Sequence, residues 1–186
     1  MQLLIRVYSW RQYRYESVAL VVGAVILILE LVGARMVAPR FGASIYVWTA
    51  VIGVILAALS AGYWYGGRLA DRGATDRGLA LLLTQASAVL FICLLLREPI
   101  FAVAEGIPGG LRAQAFTVSL LLFAPANFLM GMVSPYLAKL KLSSLKTAGR
   151  SIGGLYAAGT AGSILGAFLA GYWLISAFGN RSVGWA

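Results

Sequence analysis

Histidine is absent from the 186 residues, cysteine occurs once, and Asp and Glu together number six. Without imidazole there is no histidine general base or histidine metal ligand, and one cysteine cannot close an intrachain disulfide. Charged residues make up 11% of a chain that is 61% hydrophobic, too little polar surface to cover a soluble domain of this length. Short alternating apolar and polar segments are missing as well, which excludes a transmembrane β-barrel. No glycine-rich nucleotide loop follows a strand, so nothing points to a bound dinucleotide. The single thiol, Cys93 in "VLFICLLL", reads as a small apolar packing residue.

What the chain does have is long apolar runs. Five approach or exceed the roughly 20 residues that cross a bilayer core. They fall at Ser17–Val37, Ile45–Leu69, Leu79–Leu96, Phe116–Leu137 and Ile152–Phe178. The expected fold is therefore an all-α integral membrane protein of about five transmembrane helices, with no catalytic centre, cofactor or metal. Residues 1–16 mix Arg6, Arg11 and Arg14 with Tyr8, Trp10, Tyr13 and Tyr15, the pattern of a segment at a membrane interface. Residues 17–186 form the helical domain. An acid inside the first span, and four more spans after it, mark a retained anchor helix and not a cleaved signal peptide.

The net charge of +9 fits basic loops beside anionic lipid better than a nucleic-acid partner. The N-terminal segment, the loop Arg68–Arg77 and the loop Lys139–Arg150 hold three, three and four basic residues. The other side holds five: Arg35, Arg40, Arg97, Arg112 and Arg181. The positive-inside rule places the N-terminus in the cytoplasm, in what reads as a bacterial cytoplasmic membrane. The ending "FGNRSVGWA" looks like the start of a sixth span.

Two tetrapeptide patterns recur in the same order. "MVAP" (Met36–Pro39) closes the first span and "MVSP" (Met132–Pro135) the fourth; "GASI" and "AGYW" bracket the second span, "GRSI" and "AGYW" the fifth. Three spans separate the copies, so the second enters from the opposite side. That predicts an inverted-topology repeat, helices 1-2 against helices 4-5, as in many secondary transporters. Small residues at four-residue spacing form seams for close helix packing: Ala58, Gly62 and Gly66 in the second span, and Gly154, Ala158, Gly162, Gly166 and Ala170 in the fifth.

Glu30 lies in the outer half of the first span, roughly 20 Å from its inner edge at an α-helical rise. An acid at that depth is paired, protonated or wet. It serves either as a cation or proton site, or as a partner for a neighbouring helix end or a tyrosine such as Tyr46. Arg35, about 140° round the helix, is a poor intrahelical partner and is expected to snorkel outward. In the fourth span Asn127, Gly131 and Pro135 share a face with Pro125 just before them, predicting either a broken helix at a cavity or a simple kink. The loop "GGRLADRGATDRG" (Gly66–Gly78) puts Gly67, Asp71 and Arg72 at a helix end, to brace neighbouring helices or to lie in solvent.

"GGRLADR" resembles the cytoplasmic loop motif of major facilitator transporters, although Ala74, Thr75 and Asp76 replace its usual glycine and basic pair. A resemblance covering nearly the whole chain is to the membrane domain of fused transporter-like spermidine synthases. It rests on Glu30, Ala34, Arg35, Pro39, Phe41-Gly42, Ser44, Trp48, "GYWYGGRLADR" and "GRSIGGLYAAGTAGSILGAFLAGYWLI", with Gly159 where asparagine is expected. It implies part of a major-facilitator-like half that binds or moves a small cation such as a polyamine, or that anchors a synthase-like partner. The aminopropyltransferase domain itself is absent from the sequence. The ligand-binding candidates are Glu30, Arg35, Trp48, Asn127 and Pro135. The rival expectation is an accessory or scaffold subunit of a larger membrane complex.

Overall fold

The computed structural model describes residues 2–142 and 147–174, with side chains from residue 13 onward. The described elements are all helices: α1 (Gln2–Phe41), α2 (Ile45–Asp71), α3 (Asp76–Leu95), α4 (Arg97–Glu105), α5 (Gly110–Lys141) and α6 (Ala148–Phe168), the last running on as a π-helical turn over Leu169–Leu174. Five stretches are long and apolar enough to cross a bilayer: Tyr13–Phe41, Ile45–Asp71, Asp76–Leu95, Gly110–Lys141 and Ala148–Leu174. By length and composition this is an integral membrane protein. Apolar side chains such as Leu56, Phe91, Ile164 and Phe168 stay exposed on its outside, as helices solvated by lipid require.

Turn chemistry separates the helices. Gly42, at φ +80°, ends α1 and donates its N–H to the Ala38 carbonyl, closing the helix in the left-handed region that glycine enters freely. Thr75 caps α3, its hydroxyl accepting from the Gly78 N–H at 3.0 Å, and Asp76 sits in the first turn where the helix dipole favours an acid. Between the third and fourth spans the sequence suggests only a connection, yet α4 forms there. Its Phe101 and Ala104 are buried, and Phe101 meets Phe41 edge-on at 6.1 Å between centroids.

α5 is the central element and touches every other helix. It begins at Gly110, six residues before the expected Phe116, and continues unbroken through Pro125 and Pro135. Pro125 has no N–H for the Leu121 carbonyl, and the Cys93 thiol of α3 reaches that oxygen at 3.8 Å. A freed carbonyl with a new donor leaves a continuous helix and no break at Asn127.

Two parallel helix pairs make up most of the bundle. Glu16, Leu20 and Ala24 of α1 meet Gly154, Gly162 and Gly166 of α6 in the same order along both helices. Tyr46, Gly62, Gly66 and Asp71 of α2 likewise meet Arg112, Gly131, Met132 and Lys139 of α5. Backbones touch along both seams. A methyl group on Gly62 would strike the Phe128 carbonyl, one on Gly162 the Leu20 carbonyl, and one on Gly166 would lie 2.5 Å from the Ala24 oxygen. Gly23 and Gly159 add a further close approach between α1 and α6. Of the remaining seam residues, Ala58 and Ala170 are buried and Ala158 is half-buried.

The two AGYW segments lie at opposite ends of the bundle, yet in different surroundings. Gly62 is wedged against α5, whereas a side chain on Gly171 would meet nothing within 4 Å. The proposed start of a sixth span, including Arg181, lies outside the described residues.

Candidate functional site

Between the α1–α6 pair and the α2–α5 pair runs a cleft of about 430 Å³. α1 contributes Ala19, Gly23, Ile26 and Glu30; α2 contributes Leu59 and Tyr63; α5 contributes Val133 to Pro135; α6 contributes Tyr156, Thr160 and Ser163. Glycines zip each pair internally, and the cleft lies where the two pairs approach each other less closely. Its wall is mostly apolar, with a few convergent hydroxyls and one carboxylate, the usual make-up of a small-molecule site.

The six acids of the chain fall within the described residues, and five have partners. Glu16 pairs with Lys141, Asp71 with Lys139 at 2.7 Å, and Glu98 and Glu105 both with Arg40, at 2.6 and 3.3 Å. Asp76 accepts a hydrogen bond from the Tyr15 hydroxyl at 2.8 Å. Glu30 alone, half-buried on the cleft wall, has neither an ion pair nor a hydrogen bond among the described residues. Tyr46 is not its partner; that phenol accepts from Arg112 at 2.8 Å, with the guanidinium 4.3 Å above its ring.

Of the five sequence candidates, Glu30 and Pro135 both line the cleft. Arg35 is exposed, on the side of α1 away from it. Trp48 does not line the cleft; it packs against a core cluster drawn from α1 to α5. Asn127 is wholly buried in α5; its amide donates to the Phe123 carbonyl at 2.9 Å, and its Oδ1 has no partner. In the loop motif Asp71 braces α2 to α5 through Lys139, Arg72 ends α2 with its backbone N–H on Leu69, and Gly67 faces open space.

Sequence reasoning missed the polar wall of the cleft. Tyr63, Tyr156, Thr160 and Ser163 are scattered over two helices, and only the packing of α1, α2 and α6 around one cleft makes them line it together with Glu30. It also missed Glu16, which reads as part of an interfacial segment but forms a largely buried pair with Lys141 where α1, α5 and α6 converge. Both ends of the bundle are tied. One end carries Glu16–Lys141, Asp71–Lys139, Tyr15–Asp76 and the Tyr136 hydroxyl accepting from the Thr75 N–H. The other carries Arg40 clamped between Glu98 and Glu105 of α4, with its guanidinium 5.0 Å from the Phe101 ring centre.

No family model, no curated protein and no solved structure matches the chain.

Proposed function

We propose that this is a non-catalytic membrane protein that binds, and in a membrane moves, a small organic cation in the cleft between its two helix pairs. The observation that carries the reading is Glu30: five of six acids are consumed by structural partners, and the sixth faces a cleft without one. A carboxylate at that depth is costly unless a cation or water meets it. Tyr63 and Tyr156 supply ring faces and hydroxyls suited to an ammonium group, and Thr160 and Ser134 supply further acceptors. Polyamines are the ligand class implied by the resemblance to the membrane domain of spermidine synthase-like fusions.

The antiparallel course of α1–α2 relative to α5–α6 supports reading them as an inverted repeat, with all four helices lining the site. A cytoplasmic N-terminus in a cell's inner membrane is supported by Arg14, Arg68, Arg72, Arg77, Lys139, Lys141 and Arg150, which the fold gathers at one end.

The test is spermidine binding to the protein in lipid nanodiscs, compared with the Glu30→Gln variant. Losing the charge-assisted contact should weaken binding about ten-fold or more. Equal binding by the variant, or no binding of spermidine by the wild type, removes the proposal.

A further inference from the structure

A second cavity has nothing to do with Glu30. It is a groove of about 320 Å³ on the outer surface between α1 and α3, walled by Val21 and Val25 on one side and Leu83, Leu90 and Leu94 on the other, with Met130 of α5 as its floor. The two helices run parallel and are tied at one end by the Tyr15–Asp76 hydrogen bond. Beyond that tie they do not close on each other, and α5 shows through the gap.

The dimensions of the groove are those of one acyl chain. From Leu83 to Leu94 at an α-helical rise is roughly 16 Å. Half the hydrocarbon thickness of a bilayer is about 15 Å. The charges at its mouth are also arranged for a lipid. Arg77 lies six residues before Leu83, roughly 9 Å towards the helix start, and Arg14 lies seven residues before Val21, at about the same level. That is the level of a headgroup. Both arginines are exposed, and neither has an ion pair among the described residues, whereas Lys139, Lys141 and Arg40 are all committed to acids. The acid nearest this mouth, Asp76, already accepts from Tyr15.

We infer that the α1–α3 groove is a binding site for one anionic phospholipid, an acyl chain lying over Met130 and the phosphate held between Arg14 and Arg77. The lipid then closes the gap in the α1–α3 face that no helix fills, and it sits behind α1, on the side opposite the Glu30 cleft's α6 partner.

Native mass spectrometry of the full chain in mild detergent tests this, with phosphatidylglycerol and phosphatidylcholine of identical chains added in turn. The wild type should retain one phosphatidylglycerol per chain in preference to phosphatidylcholine. Arg14→Ala with Arg77→Ala should cut that retention about five-fold for each charge removed, and Arg14→Lys with Arg77→Lys should largely preserve it. Ser87→Trp, at an exposed position on the groove wall, should abolish it without touching the arginines. Unchanged retention in the double alanine variant overturns the headgroup assignment, and unchanged retention in Ser87→Trp overturns the chain assignment. A graded series of lipid adducts without preference, or a protein dimer in place of the lipid, overturns the site altogether. Helical circular dichroism on each variant separates loss of the lipid from loss of the fold.

Discussion

Lys141 of α5 forms an ion pair with Glu16 of α1, the lysine side chain only 4% exposed and the glutamate 30%. The pair sits against Gly154 of α6, where a side-chain carbon would lie 2.8 Å from Glu16 Oε1 and 3.2 Å from Lys141 Nζ. Three helices therefore meet on one pair of charges. Removing one partner strands the other out of water, which costs more than the pair contributes. Lys141→Met should lower stability by about 2–4 kcal/mol, discounted from the fully buried case because Glu16 keeps some exposure. Glu16→Gln combined with Lys141→Met should recover more than half of that loss. Thermal unfolding in detergent, followed by tryptophan fluorescence, measures both.

The glycines of the two seams should divide sharply by what lies opposite them. Gly62→Ala and Gly162→Ala force a methyl group onto a carbonyl of the neighbouring helix and should each destabilise by about 1–3 kcal/mol through overpacking. Gly53→Ala and Gly171→Ala, where nothing lies within 4 Å, should be neutral or stabilise by up to about 1 kcal/mol through helix propensity. The same unfolding assay separates the two classes; equal effects at all four positions would contradict the seam geometry.

The thiol of Cys93 and the ring of Pro125 are coupled through the Leu121 carbonyl. Cys93→Ala removes that donor and leaves the oxygen unpaired, at a cost of about 1 kcal/mol. Pro125→Ala supplies a backbone N–H to the same carbonyl. In the Pro125→Ala background, Cys93→Ala should therefore cost clearly less than in the wild type. A double-mutant cycle on unfolding midpoints reads this coupling, and strict additivity would sink it.

Five spans were legible in the sequence because a bilayer imposes a minimum apolar length, and composition alone reveals it. Their edges were not. Helices α1, α2 and α5 run past their apolar stretches into residues such as Arg40, Asp71 and Lys141, whose polarity says nothing against a helix. α4 stayed hidden for the same reason: "REP" at its start reads as a connection, while its buried face is only Phe101 and Ala104. The small-residue seams identified the packing faces but not the partners, because a glycine row fits any helix. Only the fold joins α1 to α6 and α2 to α5. Glu30 stood out since an acid in an apolar run is costly wherever it points. Asn127 was legible as special and misleading as to place: the oxygen that suggested a cavity is buried inside α5, away from the cleft.

The contact between Ala24 and Gly166 joins residues 142 positions apart. At a synthesis rate of about 5–20 residues per second, the glycine face of α1 stands in the membrane for roughly ten seconds or more before α6 has been made. During that interval the side of α1 that will meet α6 has only lipid, water or the insertion machinery for company. Closing of the α1–α6 seam is thus gated by translation of α6, and a ribosome stalled before residue 148 would leave the Leu20 and Ala24 carbonyls of α1 without their glycine partners.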